Sequence, residues 1–154
     1  MPRRDPERFD TLLRVRKRQE QLRAQSLAEV RTQIRSVQRQ RQQISEEQVR
    51  MIHEASEAVG EQLAGPEIHM FFQYERHLAR LVVERDATLR RLRTVEEERR
   101  SALEDSMKRR RVVERLQERY QQEAATEQRK MEQKLNDEIA GVRASRHTQG
   151  EREP

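Results

Sequence analysis

The fold of this chain is decided by the stretch AGPEIHMFFQY, which spans residues 64–74. Pro66 is the only proline between positions 6 and 154, and the glycine that follows Gly65 in the sequence is Gly141. Glycine accepts the left-handed geometry that ends many helices, and proline suits the first position of the next helix. One turn is therefore predicted to separate two long stretches that contain no helix breaker.

The composition does not predict a globular core. Apolar residues make up 32% of the 154 residues, whereas a typical globular domain has roughly 45–50%. Charged residues make up 40% and aromatic residues 3%. Such a composition is compatible with a narrow apolar seam between helices, but it is also typical of disordered chains. The periodicity of the apolar residues has to distinguish these two possibilities.

The first stretch has the periodicity of a coiled coil. Asp5 and Pro6 predict a helix start, with Asp5 as the N-cap. Farther along, positions separated alternately by three and four residues form a seam in which seven of nine are apolar: Leu27, Val30, Ile34, Val37, Arg41, Ile44, Gln48, Met51 and Ala55. A looser apolar stripe precedes it: Phe9, Leu12, Leu13, Val15 and Leu22. This alternation indicates a coiled-coil helix and argues against disorder.

The second stretch predicts a matching helix, since apolar residues recur from Leu78 to Val142 at similar spacing. Two helices joined by a short turn bury their seams only when they lie antiparallel. The predicted fold is all-α: a long antiparallel two-helix coiled-coil hairpin that forms a single domain over residues 1–154. Helix one is predicted at about 6–63, the turn at about 60–66, helix two at about 66–143 and a frayed tail at 144–154.

The second helix is predicted to extend beyond the first. Folding the chain about residue 64 places position 9 opposite about 119, which leaves roughly 20 residues, or ~30 Å, without a partner. These residues still carry an apolar stripe on one face: Met131, Leu135, Ile139 and Val142. An exposed apolar stripe is typical of a surface that another molecule covers. The alternative is a dimer or crystal contact without functional consequence.

No catalytic or cofactor-binding pattern is present in the sequence. His69 and His77 are eight residues apart, too far to share a metal within one helix. There is no glycine-rich phosphate loop, and no cysteine. The sequence therefore predicts a protein that is not an enzyme and that needs neither a metal nor a cofactor. The absence of a signal-peptide pattern and of a run of about 20 apolar residues predicts an intracellular protein that does not insert into a membrane.

The net charge of +5 is distributed unevenly. Residues 1–44 carry 12 basic and 5 acidic residues, whereas residues 45–64 carry one basic and five acidic residues. Basic arms are typical of surfaces that meet phosphates or acidic proteins. Arg31, Arg35 and Arg39 form a row along one helix edge, and we predict that this row docks electrostatically on an acidic surface.

Apolar residues near the turn lie on more than one face of the second helix. One stripe contains Ile68, Phe71, Leu78 and Val82, a second contains Met70, Tyr74, His77 and Leu81, and Phe72, Ala79 and Val83 form a third. A single helix partner cannot cover all three stripes, so an exposed patch is predicted near the turn. A generic coiled-coil spacer would need one seam only.

Several stretches resemble the FliJ family of the bacterial flagellar type III export apparatus. These are RFDTLLRVRKRQEQLRAQSLAEV at 8–30, MFFQYERHLARL at 70–81, VERLQERY at 113–120 and EQRKMEQKLNDEIAG at 127–141. Their order and spacing carry the resemblance over most of the chain. The absence of tryptophan and the abundance of arginine depart from the family pattern. The YscO-like proteins of virulence secretion systems share the hairpin and remain an alternative.

The resemblance implies a coiled-coil stalk similar to the central stalk of rotary F-type ATPases. Such a stalk binds the hexameric export ATPase FliI and the membrane export gate FlhA, and it escorts export chaperones. The implied location is the cytoplasm, peripheral to the inner membrane at the flagellar export apparatus, with a role in flagellum assembly, motility and chemotaxis. The gate-binding positions implied by the resemblance are Tyr74, His77 and Leu81, to which the helix face adds Met70. The overhang stripe is assigned to the ATPase ring.

A second class of function is a basic coiled coil that binds nucleic acid. Residues 14–41 carry nine Arg or Lys residues against two glutamates, and phosphate neutralisation would make such binding independent of sequence and steeply dependent on salt. The same residues contain no aromatic side chain for base stacking and no recognisable reading module. We therefore expect no nucleic acid among the partners.

Overall fold

The computed structural model describes residues 6–58 and 65–151 of the chain. Two α-helices account for nearly all of them: α1 (Pro6–Ala58) and α2 (Gly65–Gly150). Within these two ranges there is no β-strand. The helices pack against each other, which confirms the predicted helical hairpin.

The helix starts agree with the sequence, but the role of one glycine differs. Proline is the first residue of α1 and the second residue of α2, where its missing N–H costs no helical hydrogen bond. Gly65 was expected to adopt a left-handed conformation between the helices. It is instead the first residue of α2, and no described glycine has a positive φ. The other predicted turn residues, Gly60 and Ala64, lie outside the described residues, as do Asp5 and the predicted end of helix one.

α2 continues to Gly150, beyond the predicted end of helix two at about residue 143, and fraying of this tail stays a prediction. Hydroxyl groups of this segment bond back to carbonyls of the same helix. The Ser145 hydroxyl donates to the Val142 carbonyl at 3.0 Å, and the Thr148 hydroxyl donates to the Ala144 carbonyl at 3.1 Å. Such back-bonding is compatible with a helix, although it slightly destabilises one.

The residues group into two compact units, 17–107 and the pair of segments 1–16 and 108–154. We call the first the turn unit and the second the terminal unit, and each is described by itself. The predicted division into one domain remains a prediction.

In the turn unit, the predicted seam of α1 is the packing interface. All nine seam positions are buried or half-buried, and Val30 has no solvent-exposed surface. Their neighbours on α2 include Leu78 and Leu89, which are also buried. The alternation of three and four residues thus places one narrow stripe of α1 against α2, as expected for a coiled coil.

Polar contacts across the turn unit define its register. Arg31 Nε donates to Glu96 Oε1 at 3.0 Å, and Arg41 Nε donates to Asp86 Oδ1 at 2.5 Å. Moving ten residues forward on α1 therefore moves ten residues backward on α2, so the helices are antiparallel. Arg41 occupies a seam position, and the hydrogen bond from its guanidinium to Asp86, together with the charge of that carboxylate, raises the pKa of Arg41.

In the terminal unit, α1 and α2 are in contact through two aromatic side chains. The rings of Phe9 and Tyr120 lie 5.0 Å apart, and Gln117 Nε2 donates to Asp10 Oδ1 at 2.6 Å. Val113 is buried nearby on α2. The observed Phe9–Tyr120 contact is within one residue of the predicted pairing of positions 9 and about 119.

The loose apolar stripe at the start of α1 is not a continuous part of the seam. Phe9 and Leu13 are half-buried, but Leu12, Val15 and Leu22 are exposed, and so is Leu116 on α2. The physical reason is the heptad geometry, which continues from Leu13 through position 16 rather than through position 15. Apolar character alone therefore overestimated the seam in this region.

Candidate partner-binding surfaces

The predicted gate face is a line of side chains near the start of α2. Met70, Tyr74 and His77 are exposed, whereas Leu81 is half-buried. The spacing of four, three and four residues keeps all four on one side of the helix. Exposure of a tip patch was predicted and is observed, and the binding role of the four residues remains a prediction.

Two contacts hold Tyr74 in place. Its hydroxyl donates to Glu47 Oε1 of α1 at 3.4 Å, and its ring stacks on that of His77 with centroids 6.4 Å apart. Glu47 is also paired with Arg50. The face thus presents an exposed aromatic ring beside a charged pair, and aromatic rings are enriched at protein interfaces, whose rims are polar.

The half-burial of Leu81 changes its expected role. The sequence placed it in a stripe outside the seam, but part of its side chain is shielded from solvent. A substitution at this position therefore changes packing as well as surface. Met70, of which 68% is exposed, is the better probe of the face itself.

Other apolar side chains near the turn are exposed as well: Val49 and Ile52 of α1, and Phe72 and Val83 of α2. Val83 is nine residues after Tyr74, so their side chains project about 180° apart around the helix axis. The sequence predicted the exposure of Phe72 and Val83 but not that of Val49 and Ile52. Val49 and Ile52 each follow a seam position, Gln48 and Met51, by one residue. This spacing places them outside the seam and could have predicted their exposure.

An apolar groove of about 430 Å³ lies where the described parts of α1 and α2 meet near the turn. It is lined by Met51, Glu54, Ala55, Ala58, Glu67, Ile68, Phe71 and Phe72. The rings of Phe71 and Phe72 meet edge to face at 5.7 Å. The groove continues the line of the seam, and its two glutamates give it an acidic rim.

The predicted docking row is not uniform. Arg31 is paired with Glu96 of α2, and among the described residues Arg35 donates only to the hydroxyl of Thr32, at 3.1 Å. Arg39 is exposed and has no ion-pair partner among the described residues. Arg35 and Arg39 therefore carry the charge available to another molecule, whereas Arg31 contributes to the hairpin.

All four residues of the predicted overhang stripe are exposed. Met131, Leu135, Ile139 and Val142 follow the Phe9–Tyr120 contact on α2, and every described residue after position 125 is exposed. Met131 has 71% of its surface accessible and Ile139 has 44%. Within the described parts of the chain, no α1 residue is available to cover this stripe, because α1 begins at Pro6.

The described residues contain no cluster of three or more potential metal ligands among His, Cys, Asp and Glu side chains. None of the helical segments in the same ranges is both long enough and apolar enough to span a bilayer.

The fold and these surfaces define a class of protein: an antiparallel helical hairpin with exposed apolar faces. The family model described as flagellar FliJ protein matches residues 5–149. The chain belongs to the FliJ family. No curated protein and no solved structure matches the chain. Membership implies a structural component of flagellar type III protein export.

Proposed function

We propose that this chain is the stalk that links the hexameric export ATPase FliI to the export gate FlhA. The observation that carries the proposal is the exposed stripe of α2 at 131–142, in a chain of the FliJ family. A lone helix of this length is marginal in water. The stripe gains stability when the inner surface of a ring buries it, which gives the ATPase contact a physical basis.

The gate contact is assigned to Met70, Tyr74, His77 and Leu81. Tyr74 already has a defined position through Glu47 and His77, so little side-chain entropy is lost when a partner covers it. A preorganised aromatic ring flanked by exposed Met70 is suited to act as an interface anchor.

Escort of export chaperones, assembly of the flagellum, motility and chemotaxis complete the proposal. They follow from the family resemblance, as does a location on the cytoplasmic face of the inner membrane. The match to the flagellar family model favours a flagellar system over the YscO-like virulence systems. Purification of the chain with FliI and with the soluble domain of FlhA, followed by ATPase and binding assays, tests the central claim. Failure of the chain to bind FliI, or failure to bind the soluble domain of FlhA, would contradict the proposed link between the two.

Replacing Met70 and Tyr74 by alanine is expected to weaken binding to the soluble domain of the gate by about 1–3 kcal/mol, as for other interface anchors. Helix content should be unchanged, because both side chains are exposed. Titration calorimetry measures the affinity and circular dichroism the helix content. The matched control is Val49→Ala with Val83→Ala, which removes other exposed apolar groups near the turn. Equal weakening by both pairs would contradict a specific gate face.

Replacing Arg35 and Arg39 by glutamate is expected to lower the association rate with the ATPase. The association rate should also depend less on the salt concentration. Exposed charges act mainly on the association rate, and Arg31 is left in place because it pairs with Glu96. The matched control is Arg91→Glu with Arg93→Glu on α2, which changes the net charge equally at exposed positions.

Stopped-flow association over a range of salt concentrations measures this effect. Identical rates for the Arg35/Arg39 variant and the wild type would remove the docking role. Tight binding of the wild type to random DNA at about 0.15 M salt would instead favour the nucleic-acid function.

A further inference from the structure

The exposed stripe at 131–142 is bordered by charges that have no ion-pair partner. Lys134 and Glu138 lie along one edge of the stripe, four residues apart, and Glu132 and Arg143 lie along the other edge, eleven residues or about three turns apart. All four are exposed, and among the described residues none forms an ion pair. Glu132 accepts only a hydrogen bond from Gln128, at 3.2 Å.

We propose that this segment pairs with the same segment of a second copy of the chain, in antiparallel orientation. The two-fold axis passes near positions 136 and 137. This arrangement sets Met131 against Val142 of the second copy and Leu135 against Ile139 of the second copy. Each apolar residue of the stripe then meets another, and the symmetric contact closes on itself as a dimer.

The edge charges favour this orientation over the parallel one. In an antiparallel pair, equivalent edges of the two helices face each other, so Lys134 meets Glu138 of the second copy and Glu132 meets its Arg143. The two-fold symmetry forms each pair twice. In a parallel pair, opposite edges face each other with an offset of about five residues. Glu132 would then meet Glu127 of the second copy, which is repulsive.

The self-complementary pattern is what selects a second copy as the occupant. A partner of one charge sign would satisfy only two of the four edge residues. The dimer is a state of the isolated chain and does not depend on the proposed stalk function. Because the same stripe is assigned to the ATPase ring, a chain within a dimer cannot use it for the ring at the same time.

Sedimentation equilibrium of the full chain, with no export protein present, tests the proposal. The wild type is expected to show a reversible monomer–dimer equilibrium. Lys134→Glu brings two pairs of like charges together and should raise the dissociation constant about tenfold at low salt. The double variant Lys134→Glu with Glu138→Lys restores opposite charges and should return the dissociation constant to near the wild-type value.

Orientation can be measured by disulfide cross-linking, since the chain has no cysteine. Under oxidising conditions, a mixture of Met131→Cys and Val142→Cys chains should form a mixed disulfide. Met131→Cys alone should not, because the two sulfurs of an antiparallel pair would be about 16 Å apart along the helix.

Three results would overturn the proposal. They are a monomeric wild type at all concentrations, no recovery of the dimer by the charge-swapped double variant, and efficient cross-linking of Met131→Cys with itself. Circular dichroism of each variant checks that loss of the dimer is not caused by loss of helical structure. Binding of the chain to FliI is measured separately, so the stalk function and the dimer succeed or fail independently.

Discussion

A chain that ends at Ala124 is expected to keep its helical hairpin and to lose nearly all stimulation of the export ATPase ring. The truncation retains the Phe9–Tyr120 and Asp10–Gln117 contacts. It removes residues that are almost all exposed, so little buried surface is lost and the melting temperature should change by only a few degrees. Thermal denaturation followed by circular dichroism and an ATPase assay with purified FliI measure the two effects.

A full-length variant separates loss of the stripe from loss of length. Leu135→Gln with Ile139→Gln makes the stripe polar and should reproduce most of the loss of stimulation. The matched control is Gln133→Ala with Asp137→Ala, which changes the outer face of the same turns and should stimulate normally. Normal stimulation by the truncated chain would place the ATPase contact elsewhere on the molecule.

Replacement of Val30 by aspartate is expected to destabilise the hairpin by about 3 kcal/mol or more, because it places an unpaired charge in a fully buried seam position. In a chain of this size the melting temperature should fall by roughly 10 °C. Thermal and urea denaturation of the purified chain measure this change.

Leu22→Asp is the matched control in the same helix and the same compact unit. Leu22 is 49% exposed, so its replacement should lower the free energy of unfolding by at most about 1 kcal/mol. A similar loss of stability in both variants would show that the packing interface is broader than the seam that the heptad positions define.

The seam and the register could be predicted because both depend on spacing along the chain. The alternation of apolar positions from Leu27 to Ala55 specifies one face of a helix, and that face is the buried one. Once Pro66 marks the start of the second helix, the pairing follows from counting outward, which brought position 9 within one residue of its observed partner Tyr120. The exposed stripe at 131–142 follows from the unequal lengths of the two arms.

The sequence was a weaker guide to which apolar residues outside the seam are exposed. Val49, Ile52, Leu12 and Val15 are apolar but exposed, and the helix does not end where polar residues become frequent. An isolated sequence indicates which residues prefer burial. It does not indicate how much of that preference one partner helix can satisfy, because a single helix covers only a narrow stripe of its neighbour.

The sequence by itself therefore determined the helical class, the antiparallel pairing and the seam, since these depend on periodicity and on the position of one turn. The tertiary structure alone decided that Leu81 is partly buried, and that Arg31 pairs with Glu96 while Arg39 has no ion-pair partner among the described residues. It also decided that Val49 and Val83 stay exposed. These outcomes depend on which side chains of the other helix lie opposite. Residues that are far apart in the chain come close only when the two helices pack, so spacing along the sequence does not predict their contacts.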